Sequence, residues 1–240
     1  MRMSKMTEQT RFLDVLRQAW PKTLPVLTGY AFLGIAYGVL MQTNGYGAGW
    51  TLLFSVFTFA GSAQYMAITF LTTAFDPLAA FLLTLMINAR HIFYGISMLG
   101  KYNSVKRFKP YLIFGLTDET FAVVQTHEPD PSIDRATYYF VITLLDHLYW
   151  VLGSLIGSML GQAIHVEVRG LEFVLTALFV VIFVSQWQSQ RNHRPAIIGL
   201  IVSILGLVFF GPDGFVIPAM VLMLVVLFAG RKRIDEVQTR

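Results

Sequence analysis

Long runs of apolar residues without charge dominate the pattern of hydrophobic and polar positions along this chain. A run of about 20 apolar residues is long enough for an α-helix to cross the roughly 30 Å hydrocarbon core of a bilayer. The runs do not alternate between polar and apolar positions, as the strands of a membrane β-barrel would. The pattern predicts an all-α polytopic membrane protein with about six full transmembrane helices. The predicted spans are 24–41, 77–99, 136–162, 171–187, 195–211 and 214–230.

Two further apolar segments, 50–75 and 110–126, are interrupted by small or polar residues. The first contains "AGSAQ" from position 60, and the second contains "TDET" from position 117. Non-helical backbone at membrane depth is tolerated only where protein or a water-filled cavity surrounds it. Both segments are therefore predicted to be re-entrant or interrupted helices. A continuous kinked helix, whose small residues serve helix packing, is the alternative for the first segment.

The distribution of Lys and Arg orients these elements. Positive residues group before position 23, at 101–109, around Arg191 and after Gly230, and the positive-inside rule places these groups in the cytoplasm. The segments around Gly45, Ile164 and Asp213 belong outside. An odd number of crossings then separates Gly45 from Lys101. Span 77–99 supplies one crossing, so 50–75 should enter the membrane and return on the same side, with its turn at "AGSAQ". By the same count, 110–126 should cross an even number of times.

The ends of the chain complete the predicted organisation. Residues 1–22 are predicted to form a cytoplasmic amphipathic segment at the membrane interface, because Phe12, Leu13, Leu16 and Trp20 lie on one helical side. Residues 23–230 are predicted to form one transmembrane transporter domain, and 231–240 a cytoplasmic tail. Both termini are therefore expected in the cytoplasm.

Composition narrows the function. Only 13% of the residues are charged and 55% are hydrophobic, which is unlike a soluble domain. The chain has no cysteine, which excludes disulfides and thiolate metal ligands. No phosphate-binding loop, HExxH zinc motif or nucleophile elbow is present. We therefore expect no metal, no cofactor, no catalytic residues and no nucleic-acid partner.

Charged and polar residues inside the predicted membrane segments are costly, at about 2.5–3.5 kcal/mol for one ion at a helix centre. Arg90 has two interpretations: it binds a ligand, or it forms a structural ion pair with an acidic residue of another segment. The histidines are either proton carriers or neutral imidazoles bonded to a carbonyl. The residues concerned are Asn88, Arg90, His91, Asp118, Glu119, Asp146 and His147.

Glycines at helical spacing predict close helix packing. A stripe of residues three and four apart places Asp146 on the same face as the glycines, towards packed protein. Gly34 and Gly38 form a second close-contact face, and the spacing does not say which helices are partners. The stripe consists of Asp146, Trp150, Gly153, Gly157 and Gly161.

Three local motifs, "AGSAQYMA", "NARHIFYG" and "LTDETFAV", occur in this order. The chain resembles the AzlC family, the large subunit of bacterial branched-chain amino acid exporters, from about Thr23 to Arg231. The resemblance implies an inner-membrane exporter of valine, leucine or isoleucine that works with a small membrane subunit of the AzlD type. The family often has an acidic residue where this chain has Asn88, so the resemblance does not extend to a proton-carrying role there.

We expect a zwitterionic apolar amino acid to bind near the membrane midplane, between the interrupted segments. The amides around Ser62–Gln64 or the guanidinium of Arg90 would meet its carboxylate. Asp118, Glu119 or Asp146 would meet its ammonium group. The candidate substrate-binding residues are Gly61, Ser62, Gln64, Asn88, Arg90, Tyr94, Asp118 and Glu119, and the candidate proton-coupling residues are His91, Asp146 and His147.

Two alternatives come from other classes of protein. An intramembrane enzyme could use the Asp, Glu and His side chains as acid–base or metal groups. A channel or scaffold subunit would leave active transport to a partner.

Overall fold

The computed structural model describes residues 2–72, 74, 76–103, 105 and 107–163, and then 180, 183–184, 187–188, 192–215, 218–219, 221–223, 225–226 and 229–230, with backbone alone for 2–11, 79, 86 and 212–214. These residues form helices and turns, with no strand among them. The helices are α1 (Arg2–Thr43), α2 (Ala48–Phe57), α3 (Gly61–Thr72), α4 (Pro77–Asn88), α5 (Arg90–Asn103), α6 (Lys109–Phe114), α7 (Asp118–Thr126), α8 (Arg135–Ala163) and α9 (Arg194–Gly214). They belong to two compact units, Met1–Leu175 and Thr176–Arg240.

Four stretches of the described chain are long and apolar enough to cross a membrane: Phe12–Thr43, Ala80–Asn103, Arg135–Ala163 and Arg194–Gly211. They correspond to the predicted spans 24–41, 77–99, 136–162 and 195–211. The predicted span 171–187, most of 214–230 and the tail 231–240 lie outside the described residues. The all-helical membrane class is therefore confirmed, and the count of six spans stays a prediction.

Helix α1 continues through residue 22, where the predicted N-terminal segment ends, and that division stays a prediction. It runs without a break over 42 residues, and its membrane-length stretch begins at Phe12. Phe12, Leu13 and Trp20 are exposed, whereas Val15 and Ala19 are buried. The apolar side identified in the sequence therefore faces away from the protein, as it would towards lipid.

Helices α1 and α8 pack through their glycines. A Cβ added to Gly34 would lie 3.0 Å from the backbone nitrogen of Ser154, and one added to Gly38 would collide with the backbone of Ser154 and Ser158. Gly157 lies in the same way against the backbone of Ile35. The two glycine faces of the sequence are thus the two sides of one interface. This confirms that the stripe containing Asp146 faces packed protein.

Helices α2 and α3 form a hairpin. The break between them covers Thr58–Ala60, and Phe59 has a left-handed φ of 36°. The Tyr46 hydroxyl, just before α2, donates to the Leu71 carbonyl near the end of α3 at 2.8 Å, so the chain returns to the level at which it entered. The turn precedes its predicted place, because Gly61, Ser62 and Gln64 open α3. With 10 and 12 residues, each helix is about 15–18 Å long, roughly half the hydrocarbon thickness.

Helices α6 and α7 form a second hairpin, with its break at Gly115–Thr117. Lys109, at the start of α6, donates to the Asn103 side chain at 3.4 Å. Lys101 donates to the Val124 carbonyl near the end of α7 at 2.8 Å. Both ends of this hairpin therefore lie beside the end of α5. The two ends lie close together, as an in-and-out path requires, and the re-entrant path itself stays a prediction.

A third break, at Ala89, separates α4 from α5 inside the predicted span 77–99. The sequence pattern did not predict it. As a result, each of the three sequence motifs lies at the start of a helix: "GSAQ" opens α3, "RHIFYG" opens α5 and "DETFAV" opens α7.

Candidate functional site

The starts of α3, α5 and α7 meet at the guanidinium group of Arg90. Its Nη2 donates to the Ser62 hydroxyl at 2.8 Å, and its Nη1 lies 2.5 Å from Asp118 Oδ2. Ser62 is the second residue of α3, and Asp118 is the first of α7. The Arg90 side chain therefore contacts the starts of two other helices. Ser62 lies 28 positions before Arg90 in the sequence, and Asp118 lies 28 positions after it.

The charges at this junction are partly accessible. The Arg90 side chain is 28% exposed and that of Asp118 is 9% exposed. The second oxygen of Asp118, Oδ1, is buried and has no hydrogen-bond partner in the part of the chain that the structure describes. A buried carboxylate oxygen without a donor is costly, so it is a natural acceptor for an incoming N–H group. Arg90 thus forms the ion pair that was one of its two interpretations in the sequence, and its partner is Asp118.

Glu119 lies beside this pair and contacts α1. Tyr30 of α1 donates to Glu119 Oε2 at 2.7 Å, and the Tyr30 hydroxyl also lies 2.8 Å from Thr117 Oγ1. Thr117 caps α7, because its hydroxyl accepts from the Thr120 amide. Glu119 is half-buried, whereas Tyr30 is 4% exposed.

Asp146 lies deeper in the protein and has no exposed surface. Its Oδ2 accepts a hydrogen bond from the Thr120 hydroxyl at 2.8 Å, and its buried Oδ1 has no hydrogen-bond partner among the residues described. No ion pair of the described chain involves Asp146. Of the acidic residues that the sequence offers as partners of Arg90, Asp118 and not Asp146 forms the ion pair.

Gly61 and Gln64 support Trp150 of α8. The indole N–H of Trp150 donates to Gln64 Oε1 at 2.8 Å, and Gln64 has no exposed surface. Gln64 Nε2 in turn lies 3.5 Å from the Ser55 hydroxyl across the first hairpin. A Cβ on Gly61 would lie 3.1 Å from the Trp150 ring. These contacts give both residues a role in packing, and the predicted contact with a ligand stays a proposal.

Three other residues of the "NARHIFYG" motif are half-buried: Asn88 at the end of α4, and His91 and Tyr94 on α5. His91 Nδ1 lies 3.1 Å from the backbone carbonyl of Asn88, and the buried Oδ1 of Asn88 has no hydrogen-bond partner within the described structure. Tyr94 stacks on Phe121 of α7 with the ring centroids 4.6 Å apart. Tyr94 therefore holds α5 against α7 one turn beyond the Arg90–Asp118 pair.

His147 belongs to a separate cluster. Its Nδ1 lies 3.0 Å from the Tyr111 hydroxyl, and its Nε2 lies 3.2 Å from the Ser55 carbonyl. Its ring stacks on Phe59 at 4.2 Å. A carbonyl at Nε2 and a hydroxyl at Nδ1 fit a neutral imidazole that donates from Nε2. Within the described residues, no three His, Asp or Glu side chains are grouped for a metal ion.

The family assignment is decided by comparison of the whole sequence with known proteins. The sequence profile of the AzlC protein family matches residues 25–164. The chain belongs to the AzlC family. No solved structure is significantly similar to it.

Relatives of this AzlC chain share most of its length. It is 43% identical over 233 residues, 97% of this chain and 92% of the relative, to the "Branched-chain amino acid transport protein AzlC" of Bacillus subtilis. It is 36% identical over 224 residues, 93% of this chain and 98% of the relative, to an "Uncharacterized membrane protein" of Helicobacter pylori. It is 25% identical over 177 residues, 71% of this chain and 72% of the relative, to the "Inner membrane protein YgaZ" of Escherichia coli.

The fold of this AzlC protein thus brings Ser62, Arg90 and Asp118 into direct contact, with Glu119 beside them. It keeps His147 and the carboxylate of Asp146 in separate contacts. Sequence reasoning missed Tyr30 and Thr120, which connect Glu119 and Asp146 to the rest of the site. A tyrosine inside an apolar helix was the available signal, because a buried tyrosine hydroxyl usually finds a partner.

Proposed function

We propose that this chain is a transporter that exports branched-chain amino acids across the bacterial inner membrane. The family assignment and the B. subtilis relative named for branched-chain amino acid transport support the substrate class. The observation that carries the proposal is the junction of three helix starts at Arg90, where a cation and an anion meet beside the Ser62 hydroxyl. Such interrupted helices are how many transporters bind small charged substrates.

The Arg90–Asp118 pair suits a zwitterionic ligand. An amino acid carries one carboxylate and one ammonium group, so it can insert between the two side chains and leave every charge paired. Its carboxylate would bind Arg90 and the first amides of α3 around Ser62, where the helix dipole favours an anion. Its ammonium group would bind Asp118 Oδ1 and Glu119. Neither a cation nor an anion alone would preserve this balance.

Selectivity among valine, leucine and isoleucine is then expected to be loose, because one methylene group in an apolar pocket changes binding by only about 1–3 kcal/mol. Tyr94 and Phe121, which stack next to Asp118, are the aromatic surface available to an aliphatic side chain. Asn88, Gly61 and Gln64 shape the same region from α4 and α3.

The chain works in this proposal as the large subunit of a two-component exporter, with a small AzlD-like membrane subunit as partner. Residues 23–230 form the transporter domain, the re-entrant hairpins lie within the membrane, and both termini are cytoplasmic. Export against a gradient needs an energy source, and the proposal assigns it to an ion or proton gradient.

Efflux of labelled leucine tests the proposal. Cells that lack their own branched-chain exporters are loaded with a leucine-containing dipeptide, with and without the chain and a small AzlD-like subunit. Faster leucine efflux with the pair, and survival at toxic valine-peptide concentrations, are the expected results. If the pair is present in the membrane and efflux does not change, the substrate assignment is wrong. Efflux that only runs downhill and ignores a pH gradient would favour the channel alternative.

A further inference from the structure

A continuous row of hydroxyl groups joins the two acidic side chains Glu119 and Asp146. Glu119 Oε2 lies 2.7 Å from the Tyr30 hydroxyl, which lies 2.8 Å from Thr117 Oγ1. Thr117 Oγ1 lies 3.2 Å from Thr120 Oγ1, which lies 2.8 Å from Asp146 Oδ2. We call the three hydroxyls of Tyr30, Thr117 and Thr120 the hydroxyl relay.

Counting protons shows that the relay is one proton short when both carboxylates are ionised. There are four oxygen–oxygen contacts, and three hydroxyls supply only three protons. One contact would then bring two oxygens together without a proton between them, which is repulsive. A single proton on either carboxyl group gives each contact one donor and one acceptor. From this count we propose that Glu119 and Asp146 share one proton, which passes between them along the hydroxyl relay.

The burial of Asp146 supports this inference independently. The residue has no exposed surface, and its Oδ1 has no hydrogen-bond partner among the described residues. An ionised carboxylate buried without a cation is strongly disfavoured. The titratable groups that face it are Tyr30 of α1, Tyr111 of α6, Glu119 of α7 and Tyr149 of α8, and His147 is its neighbour in the sequence. None of these is a permanent cation, and His147 already makes its bonds to Tyr111 and the Ser55 carbonyl.

Glu119 has a different environment. The charged and titratable groups around it are Tyr30 of α1, Arg90 and Tyr94 of α5, and Asp118 of α7. The guanidinium of Arg90 is held 2.5 Å from Asp118. Three carboxyl groups, Asp118, Glu119 and Asp146, thus share one cation. A shared proton reduces the net negative charge of the cluster from about −2 to about −1, and the relay lets either Glu119 or Asp146 carry it.

The transfer conserves protons at each step. Asp146 Oδ2 gives its proton to Thr120, Thr120 gives its own to Thr117, Thr117 to Tyr30, and Tyr30 to Glu119. Each hydroxyl breaks one O–H bond and forms another, so the relay reverses its direction while one proton moves from Asp146 to Glu119. The contact between Thr117 and Thr120 is the longest, so it is where the relay must tighten for transfer.

The consequence for transport rests on the proposed function. An ammonium group bound at Glu119 favours the ionised form of that carboxylate and keeps the proton on Asp146. When the amino acid leaves, Glu119 can take the proton. Substrate and proton therefore compete at Glu119, which couples their movements.

Infrared difference spectroscopy of the purified full chain, without substrate, tests the shared proton. The wild-type protein should show a C=O band of one protonated carboxyl group near neutral pH. Asp146→Asn introduces an amide N–H that supplies the missing donor, so it should abolish the band. Glu119→Gln leaves the proton on the buried Asp146, so the band should remain and shift in frequency. A band that survives Asp146→Asn, a band that Glu119→Gln leaves unchanged, or no band in the wild type overturns the inference. If one of the two variants does not fold, the infrared spectrum of the other still tests the inference.

Transport with a matched pair of variants tests the relay. Tyr30→Phe removes the hydroxyl that links Glu119 to Thr117. Tyr149→Phe removes another buried tyrosine hydroxyl, which contacts Thr23 at 3.0 Å outside the relay. In proteoliposomes with the small subunit, Tyr30→Phe should lose leucine uptake driven by a pH gradient and keep leucine–leucine exchange, while Tyr149→Phe keeps both. Equal pH-driven uptake in the two variants overturns the relay.

The two failures are distinguishable. If the infrared bands behave as expected and the wild-type protein moves no leucine, the shared proton stands and the proposed function is wrong. If leucine is transported and the bands do not behave as expected, the shared proton is wrong and the proposed function stands.

Discussion

The guanidinium of Arg90 lies at the first residue of α5, where the positive end of a helix dipole disfavours a cation. Asp118 and the Ser62 hydroxyl offset that cost. Asp118 is itself at the first residue of α7, where the dipole favours an anion. The pair is thus held by its position at two helix starts as well as by its own attraction, and a structural and a substrate-binding role coexist in it.

A charge-removal series separates the two roles of this pair. Arg90→Gln leaves Asp118 buried without a cation and should lower stability by about 2–3 kcal/mol, less than for a fully buried pair because Arg90 keeps some exposure. Adding Asp118→Asn removes the orphaned charge, so the double variant should regain much of the membrane-inserted protein. Leucine efflux should stay lost in both. Protein amount and efflux are measured in the same cells.

The matched control for this series is Arg135→Gln, whose side chain is 66% exposed and lies 3.8 Å from Glu128. It should change neither protein amount nor efflux, because exposed ion pairs contribute about 0–1 kcal/mol. Efflux at the wild-type rate in the Arg90→Gln/Asp118→Asn variant would show that the pair serves the fold alone.

The bond between Gln64 and Trp150 gives a second prediction about single residues. Gln64→Leu leaves the buried indole N–H without its acceptor and should cost about 1–3 kcal/mol. Trp150→Phe together with Gln64→Leu removes both partners, so the double variant should lose less stability than the two single variants added together. Thermal unfolding in detergent measures all three. Gln18→Leu, whose side chain makes only an exposed contact to Asp130, should be nearly neutral; additive losses would contradict the bond.

The sequence was enough to predict which residues lie at the candidate site, but not which residues each of them contacts. Arg90 was a candidate because a charge inside an apolar segment is costly. The sequence allowed an ion pair with Asp118, Glu119 or Asp146. The fold decides for Asp118, because helix starts 28 residues apart meet in space. Tyr30 and Thr120 escaped notice because their contacts span 89 and 26 residues, which no local pattern records.

At the scale of elements, counting crossings predicted both hairpins but placed the first turn late. Glycine adopts a left-handed conformation without strain, but Gly61 is not the residue that does so in this turn. Phe59 adopts it instead, with its ring stacked on His147 and packed near Phe114. Gly61 is needed for a different reason, because the Trp150 ring occupies the space of a side chain there. Local propensity could not distinguish these two uses.

The contact between α1 and α8 is tested by two alanine substitutions in α1. Gly38→Ala places a methyl group against the backbone of Ser154 and Ser158, which cannot move aside as a side chain would. We expect it to lower stability by about 1–3 kcal/mol or more, as overpacking does. Gly29→Ala meets nothing within 4 Å and should be neutral or stabilising by up to about 1 kcal/mol, because alanine favours helix. Equal melting temperatures for the two variants would contradict the packed interface.

At the scale of the whole molecule, four of the predicted spans coincide with helical stretches of membrane length, because hydropathy alone identifies such runs. The break at Ala89 was not predictable, since the apolar pattern continues through it. Hydropathy also leaves open which side each loop faces, and only the positive-inside count addresses that question. The structure adds that the first hairpin closes beside Tyr46 and the second beside Lys101. Helices α4 and α5 connect these two places.

The two hairpins should therefore open towards opposite sides of the membrane, and single cysteines can show it. The chain has no cysteine of its own, so each introduced thiol is the sole target. Cysteines at the exposed positions Thr43 and Asp76 should react with a membrane-impermeant maleimide from outside, and those at Asn103 and Thr126 only from the cytoplasm. Ser154→Cys, fully buried between α1 and α8, should react from neither side. If position 76 reacts only from the cytoplasm, α2 and α3 cross the membrane between them, and the amino-acid site proposed at the start of α3 no longer lies beside a re-entrant turn.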